Sequence, residues 1–173
     1  MPASKISLDK AKNNKLFYFV ANAVVYREKD GRCLILKRHA REATHPNKYC
    51  VPGGKLEWGD LDITKPSRMN GEVIDFEDAI EELLAREVKE EAGIDVEGPM
   101  RFINDVAYIR PDGVPTVLVK FVMKYAGGDV VLEEGGFDGY AWVNAEEVGD
   151  YDCIDGIAEE ISKAIQLFSK QPA

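Results

Sequence analysis

Apolar and polar positions change period several times along the chain, and each change marks an element. FYFVANAVVYR at 17–27 is β-branched and aromatic, KDGR supplies an Asp-Gly turn, and CLILKR at 33–38 is again apolar. Together they predict a β-hairpin. From 41 to 60 the chain is polar and broken around Pro52, Gly53 and Gly54. This predicts a loop with short extended pieces and backbone freedom concentrated at the glycines. Between Asp75 and Ala92 the period becomes helical, with Asp75 as N-cap, Asp78 three residues on and Gly93 as the stop. MRFINDVAYIR and PTVLVKFVMKY then read as two strands joined by a Pro-Asp-Gly turn, followed by short strands near 129–132 and 139–143. A last amphipathic helix over 154–168 carries Ile154, Ile157, Ile161, Ile165 and Leu167. Strands outnumber helices, and the helices sit between and after them. The predicted class is α+β, with a mixed sheet packed between helices.

The first helix carries an anomaly. With Ile80 as origin and about 100° per residue, Leu84 falls at about +40° and Leu83 at about −60°, which sets the buried stripe. The same stripe then meets Glu87 at about −20° and Glu91 at about +20°. Glu82 and Lys89 lie near the opposite, solvated side. Glu90 flanks the pair at about −80°, one turn after Arg86, so an Arg86–Glu90 contact is available. An ionised carboxylate that faces inward needs a charge partner. Three of them against one arginine leave negative charge unpaired, and hard oxygen donors in that number suit Mg²⁺ or Mn²⁺. A glutamate-rich surface helix is the alternative, and the phase of the stripe weighs against it.

Charge points the same way. Acidic residues outnumber basic ones 31 to 22 for a formal charge of −9, and no Lys/Arg-rich run appears, which argues against nucleic acid as a partner. The length of 173 residues suits one domain over 1–173, with 1–15 expected to be flexible. Cys33, Cys50 and Cys153 are odd in number and widely spaced, which suits reduced thiols in a cytoplasmic setting. Neither a signal-like apolar run at the N-terminus nor about 18 uninterrupted apolar residues occurs, so no membrane partner is expected.

PGGKLEWGD followed by REVKEEAGI resembles the signature box of the Nudix hydrolase superfamily: Gly, five residues, Glu, seven residues, then Arg-Glu-apolar-x-Glu-Glu-x-Gly-apolar. Arg86, Glu87, Val88, Glu90, Glu91, Gly93 and Ile94 match its second half without a gap. Gly54 opens the first half, but Asp60 stands where the family has glutamate, and residues 61–85 separate it from Arg86. The surplus makes 61–78 an insertion within the box: LDITKPSRMNG as a loop, and the remainder lengthening the helix by about a turn. A lid or specificity loop and a surface extension are both open for it. The hairpin, the later strand pair and GYAWV followed by NAEEV share the likeness, which spans most of 17–168.

The resemblance implies a Nudix fold and metal-dependent hydrolysis of a phosphoanhydride in a nucleoside diphosphate linked to another moiety, a nucleoside triphosphate or a nucleotide sugar. It implies that Glu87 and Glu91 bind Mg²⁺ or Mn²⁺ with Glu90 beside them, that Arg86 orients the cluster, and that the Gly53 carbonyl contacts metal. For the acidic residue that the family places six positions before the tryptophan, this chain has Gly136. Glu133, Glu134 and Asp138 are the neighbours, and Glu134 is taken as the base. ADP-ribose-like substrates, or a silent fold that only binds a nucleotide or metabolite, are the alternatives. Homodimers are common among similar proteins.

Substrate phosphates need cations. Lys55 in the Gly-rich turn and Lys37 and Arg38 on the second strand are candidates, the last two being equally readable as exposed strand ends. A nucleobase would call for an aromatic platform, for which Phe17, Tyr49, Trp58, Phe137 and Tyr140 border the expected cleft, core packing being the alternative for each. His39 and His45 find no partner from spacing alone.

Overall fold

The computed structural model describes residues 1–7 and 12–169, within which run nine strands and two α-helices. Part of the expected flexible segment 1–15, residues 8–11, lies outside the described residues; 13–15 form a single 3-10 turn. β1 (Tyr18–Arg27) and β2 (Arg32–Arg38) make the predicted hairpin through the pairs Tyr26–Cys33 and Arg27–Arg32, with Gly31 at φ 68° in the turn. Beyond those pairs the strands part. β3 (Tyr49–Cys50) then pairs with β2 and β4 (Gly53–Lys55) pairs with β1, so the chain crosses the fork at Val51–Pro52.

The other edge of β1 runs parallel to β8 (Pro115–Gly127) from Tyr18 to Tyr26, and β7 (Asp95–Ile109) lies antiparallel outside β8. On the far edge of β2 sits β9 (Phe137–Val143), also antiparallel. One parallel pairing among antiparallel ones gives the mixed sheet that the residue pattern predicts.

The period of two sorts side chains between the sheet's faces. Ala21, Ala23, Val25, Leu34 and Leu36 meet α1 (Ala79–Ala92) through its buried Leu83, Leu84 and Val88. Val24, Tyr26, Cys33 and Ile35 face the other way and meet α2 (Ile157–Ser169) through Ile157, Ile161 and Ala164. Each large aliphatic buried this way contributes roughly 1.5–3 kcal/mol, so both helices are fastened to the sheet far more firmly than capping alone could hold them.

Several boundaries differ from expectation. α1 starts at Ala79, because Asp75 is taken up in a hairpin: β5 (Arg68–Asn70) pairs with β6 (Val73–Asp75), and the Asp75 carboxylate accepts from Arg68 Nη2 at 2.9 Å. Asp78 occupies the N-cap position instead. The inserted segment is therefore partly β-structured and does not lengthen the helix. Its two-residue connection, Gly71-Glu72, has Gly71 at φ 62°. No strand forms over 129–132, where the Val131 and Glu133 amides donate to the Ala92 and Glu91 carbonyls at 2.9 and 3.1 Å. Helix-end carbonyls need such donors, and the segment caps α1 instead of joining the sheet. α2 begins at Ile157, not 154, because the Ile154 amide donates to the Tyr49 carbonyl at 2.9 Å. Among the described residues, no helix is long and apolar enough to cross a membrane.

Candidate active site

The fork between β1 and β2 admits almost no side-chain volume. A Cβ on Gly53 would meet the Ala21 carbonyl oxygen and Asn22 Oδ1, both at 2.3 Å, and one on Gly54 would meet the Glu87 carboxyl carbon at 2.3 Å. Glycine at these two places lets the acidic end of α1 close directly onto the backbone of β4. The Gly53 amide donates to Glu91 Oε2 at 3.0 Å, and the Glu87 carboxylate covers Gly54. Leu84 and Val88 anchor the same side of α1 in the core, so the carboxylates follow from the leucine stripe without a break.

This arrangement raises the cost of ionisation. Burial pushes the Glu91 carboxyl up to about 8; the Gly53 amide opposes the rise, while the charges of Glu87 and Glu133 add to it. Burial also raises Glu87, whose side chain is only 16% exposed; Arg86 pulls it back, and Glu90, Asp60 and Glu133 push the same way as burial. The site thus gathers acidic oxygens that burial and neighbouring carboxylates hold back from ionisation.

Arg86 distributes itself among three carboxylates, Asp60 at 3.1 Å, Glu87 at 3.3 Å and Glu90 at 3.6 Å. Asp60 ties the loop to the helix: its Oδ1 accepts from Arg86, and its Oδ2 accepts the Glu57 amide at 2.9 Å in a capping box around the one-turn helix Trp58–Asp60. A carboxylate one methylene shorter than glutamate still reaches the arginine here.

Gly53, Glu87, Glu91, Arg86, Lys55 and Arg38 line a single cleft of about 560 Å³. Arg38 is held at its rim by Glu42 and by the Thr44 carbonyl, which accepts from its Nε at 3.0 Å. Glu90 and Glu134, which the sequence also points to, do not line it. At −80° on the helix wheel, Glu90 turns outward with its side chain 54% exposed, and Arg86 is its partner. Glu134 lies exposed in the turn 134–136, whereas the charge of Glu133 acts on both Glu87 and Glu91. The bond from the Glu133 amide to the helix end sets this preference. The contact seen at Gly53 is made by its amide.

Sequence reasoning missed Asn22, Tyr108 and Arg110, which also line the cleft. The parallel pairing of β1 with β8 carries the β7–β8 turn to the start of β1, where Arg110 lies 5.8 Å over the Tyr18 ring. A lone basic residue before Pro-Asp-Gly was the available signal. His39 lies 3.5 Å from Asp138, outside the cleft lining.

The NUDIX domain model matches residues 18–165. The chain belongs to the NUDIX domain family. It is 29% identical over 134 residues to the nucleoside triphosphatase NudI of Klebsiella pneumoniae (strain 342), covering 72% of this chain and 82% of that protein. A MutT protein from Methanosarcina mazei Go1 shares the fold with TM-score 0.61 at 21% identity, covering 92% of this chain and all of the other. So does the NUDIX domain of Shewanella oneidensis NrtR, solved with ADP ribose, with TM-score 0.64 at 14% identity over 93% of this chain and 96% of that one. The present chain is a Nudix pyrophosphohydrolase, and the cleft between β4 and α1 is its candidate active site.

Among the described residues of this Nudix chain, no three His, Cys, Asp or Glu side chains converge as a ready-made metal cage. The donors nevertheless fit a hard divalent cation. Magnesium is held by one or two carboxylates together with substrate phosphates and water, not by a dedicated protein shell. Two carboxylates at a glycine-lined edge, raised in pKa by burial and by their acidic neighbours, are that kind of partial site.

Proposed function

We propose that this chain catalyses the Mg²⁺- or Mn²⁺-dependent hydrolysis of a phosphoanhydride in a nucleoside diphosphate linked to another moiety, a nucleoside triphosphate first among them. The observation that carries the reading is the closure of Glu87 and Glu91 onto Gly53 and Gly54 inside a cleft that also presents arginines. The likeness to a nucleoside triphosphatase supports the triphosphate choice.

Glu87 and Glu91 would hold the cation, with the Gly53 carbonyl beside them, while Glu90 stays outside the cleft and acts through Arg86. A bound divalent ion supplies charge neutralisation and an acidified water. Arg38, Lys55 and Arg110 meet phosphate oxygens and align the chain of phosphates for in-line attack. Glu133 accepts the proton of the attacking water, in place of the Glu134 that the sequence favoured; as the oxygen–phosphorus bond forms, the bridging P–O bond breaks and its electron pair leaves with the departing phosphate. Arg86 is a positioning residue: it fixes Glu87 from one side and Asp60 from the other. Three free cysteines suit a reducing, cytoplasmic compartment.

The test is a panel of nucleoside triphosphates, nucleotide sugars and dinucleotides, incubated with Mg²⁺ or Mn²⁺ and read for phosphate and pyrophosphate. Turnover of triphosphates that stops in EDTA is expected. Binding without turnover under either metal would replace this reading with that of a silent nucleotide-binding domain.

A further inference from the structure

Next to the polar cleft lies a second groove, of about 620 Å³, and the two share Lys55 and Glu57. Its character is different. Phe17, Tyr18, Phe19, Leu56, Trp58 and Leu61 line it. Phe17, Tyr18 and Trp58 are 51%, 48% and 55% exposed, an unusual concentration of open aromatic surface for neighbouring side chains.

The groove is built, not incidental. The Leu56 amide donates to the Phe19 carbonyl at 3.0 Å, fastening one wall to the other. Trp58 opens a one-turn helix whose capping box joins Glu57 to Asp60, and Asp60 is held by Arg86 at 3.1 Å. The tryptophan is thus indexed to the same arginine that touches Glu87. At the other end, Arg110 lies over the Tyr18 ring and also lines the cleft. Leu61, the first residue of the inserted segment, closes the wall.

We infer that this aromatic groove binds the nucleobase of the substrate, stacked against Trp58 and Phe17, while the phosphates lie in the adjoining cleft. The inference rests on the proposed pyrophosphohydrolase reading and names the substrate half which that reading leaves open. A nucleotide joins a polyanion to a planar ring, and the surface places a cationic, acid-lined cleft beside an aromatic groove with two residues in common. Of the five aromatics that sequence suggests for a platform, Phe17 and Trp58 are in this groove. Phe137 lines the cleft, Tyr49 packs edge-on to Tyr151 in the core, and Tyr140 lies on β9. Stacking is tolerant of base identity, because every base has a π-face, so acceptance of both purines and pyrimidines follows.

The test pairs kinetics with fluorescence. Trp58→Ala should raise KM for nucleoside triphosphates about tenfold with kcat within about twofold, the size of one lost base stack. Its preference for nucleoside triphosphate over inorganic tripolyphosphate should fall by a similar factor, and Trp58→Phe should restore most of it. Independently, titrating the full chain with the α,β-imido analogues of dTTP and dATP in Mg²⁺ should quench tryptophan emission in the wild type and not in Trp58→Phe. Trp142, the other tryptophan, packs against Tyr125 and Arg27 away from the groove and serves as the internal reference.

Unchanged KM and preference in Trp58→Ala would overturn the inference while leaving the hydrolase reading intact. If no triphosphate is turned over, the hydrolase reading fails, and the quench alone decides the base site. A wild-type dimer that Trp58→Ala converts to monomer would show that a second copy of the chain covers the groove, and would overturn it too.

Discussion

Replacing Glu91 by glutamine removes one charge from the site while leaving an oxygen to accept the Gly53 amide. The carboxyl is pushed from 4.5 to about 8, by burial first and then by Glu87 and Glu133. Its folded pKa lies above its unfolded one, so the folded state holds the extra proton between those values. Without metal, this group's contribution to stability is intact below about pH 4.5 and is lost as pH rises to about 8. At about 1.36 kcal/mol per unit, the full shift corresponds to about 5 kcal/mol. Water at the cleft mouth reduces that to about 2–3 kcal/mol, or roughly 5–10 °C in Tm for a chain of this size. Melting curves in EDTA should therefore place Glu91→Gln above the wild type at pH 8 and level with it at pH 5. Added Mg²⁺ should raise the wild type at pH 8 and leave the variant unmoved, and turnover should fall at least about a hundredfold. A variant that melts at or below the wild type at pH 8 in EDTA, or that keeps its turnover, would refute the reasoning.

Gly54→Ala puts a methyl where the Glu87 carboxyl now sits; activity should drop at least about tenfold with a loss of about 1–3 kcal/mol of stability, read by kinetics and urea titration. Lys120→Met strands Glu160, which is 2% exposed and bonded to that lysine. A cost of about 3–5 kcal/mol should appear in thermal melts, with much of it recovered when Glu160→Met is added. Cys33 and Cys50, both pushed up to about 12 by burial, should resist iodoacetamide at pH 8 in the native chain, as mass spectrometry would show, and react after denaturation.

The helix that carries the candidate site was legible because one period of 3.6 residues holds both Leu84–Val88 and Glu87–Glu91 on a single side. The hairpin and the two-sided sheet were legible for the analogous reason, a period of two broken by an Asp-Gly turn. Other features depend on contacts that no local pattern encodes. Arg110 reaches the cleft only through the parallel pairing of β1 with β8, strands about ninety residues apart in sequence. The charge of Glu133 bears on Glu87 and Glu91 while its amide is bonded to the end of α1, a contact across about forty residues that no local pattern shows. Asp75 looked like a helix cap, yet Arg68 holds it in a hairpin that a run of turn-forming residues disguised as loop. Glu90 matches the family box in sequence, and its angle on the helix sends its carboxylate outward, where Arg86 meets it.

Electron paramagnetic resonance of Mn²⁺ titrated into the nucleotide-free chain weighs most directly on the account. Wild type should take up the ion with its signal broadened, and the Glu87→Gln, Glu91→Gln double variant should leave it free in solution while still melting cooperatively. Equal uptake by both proteins would mean that the carboxylates closed onto Gly53 and Gly54 are not where the cation sits.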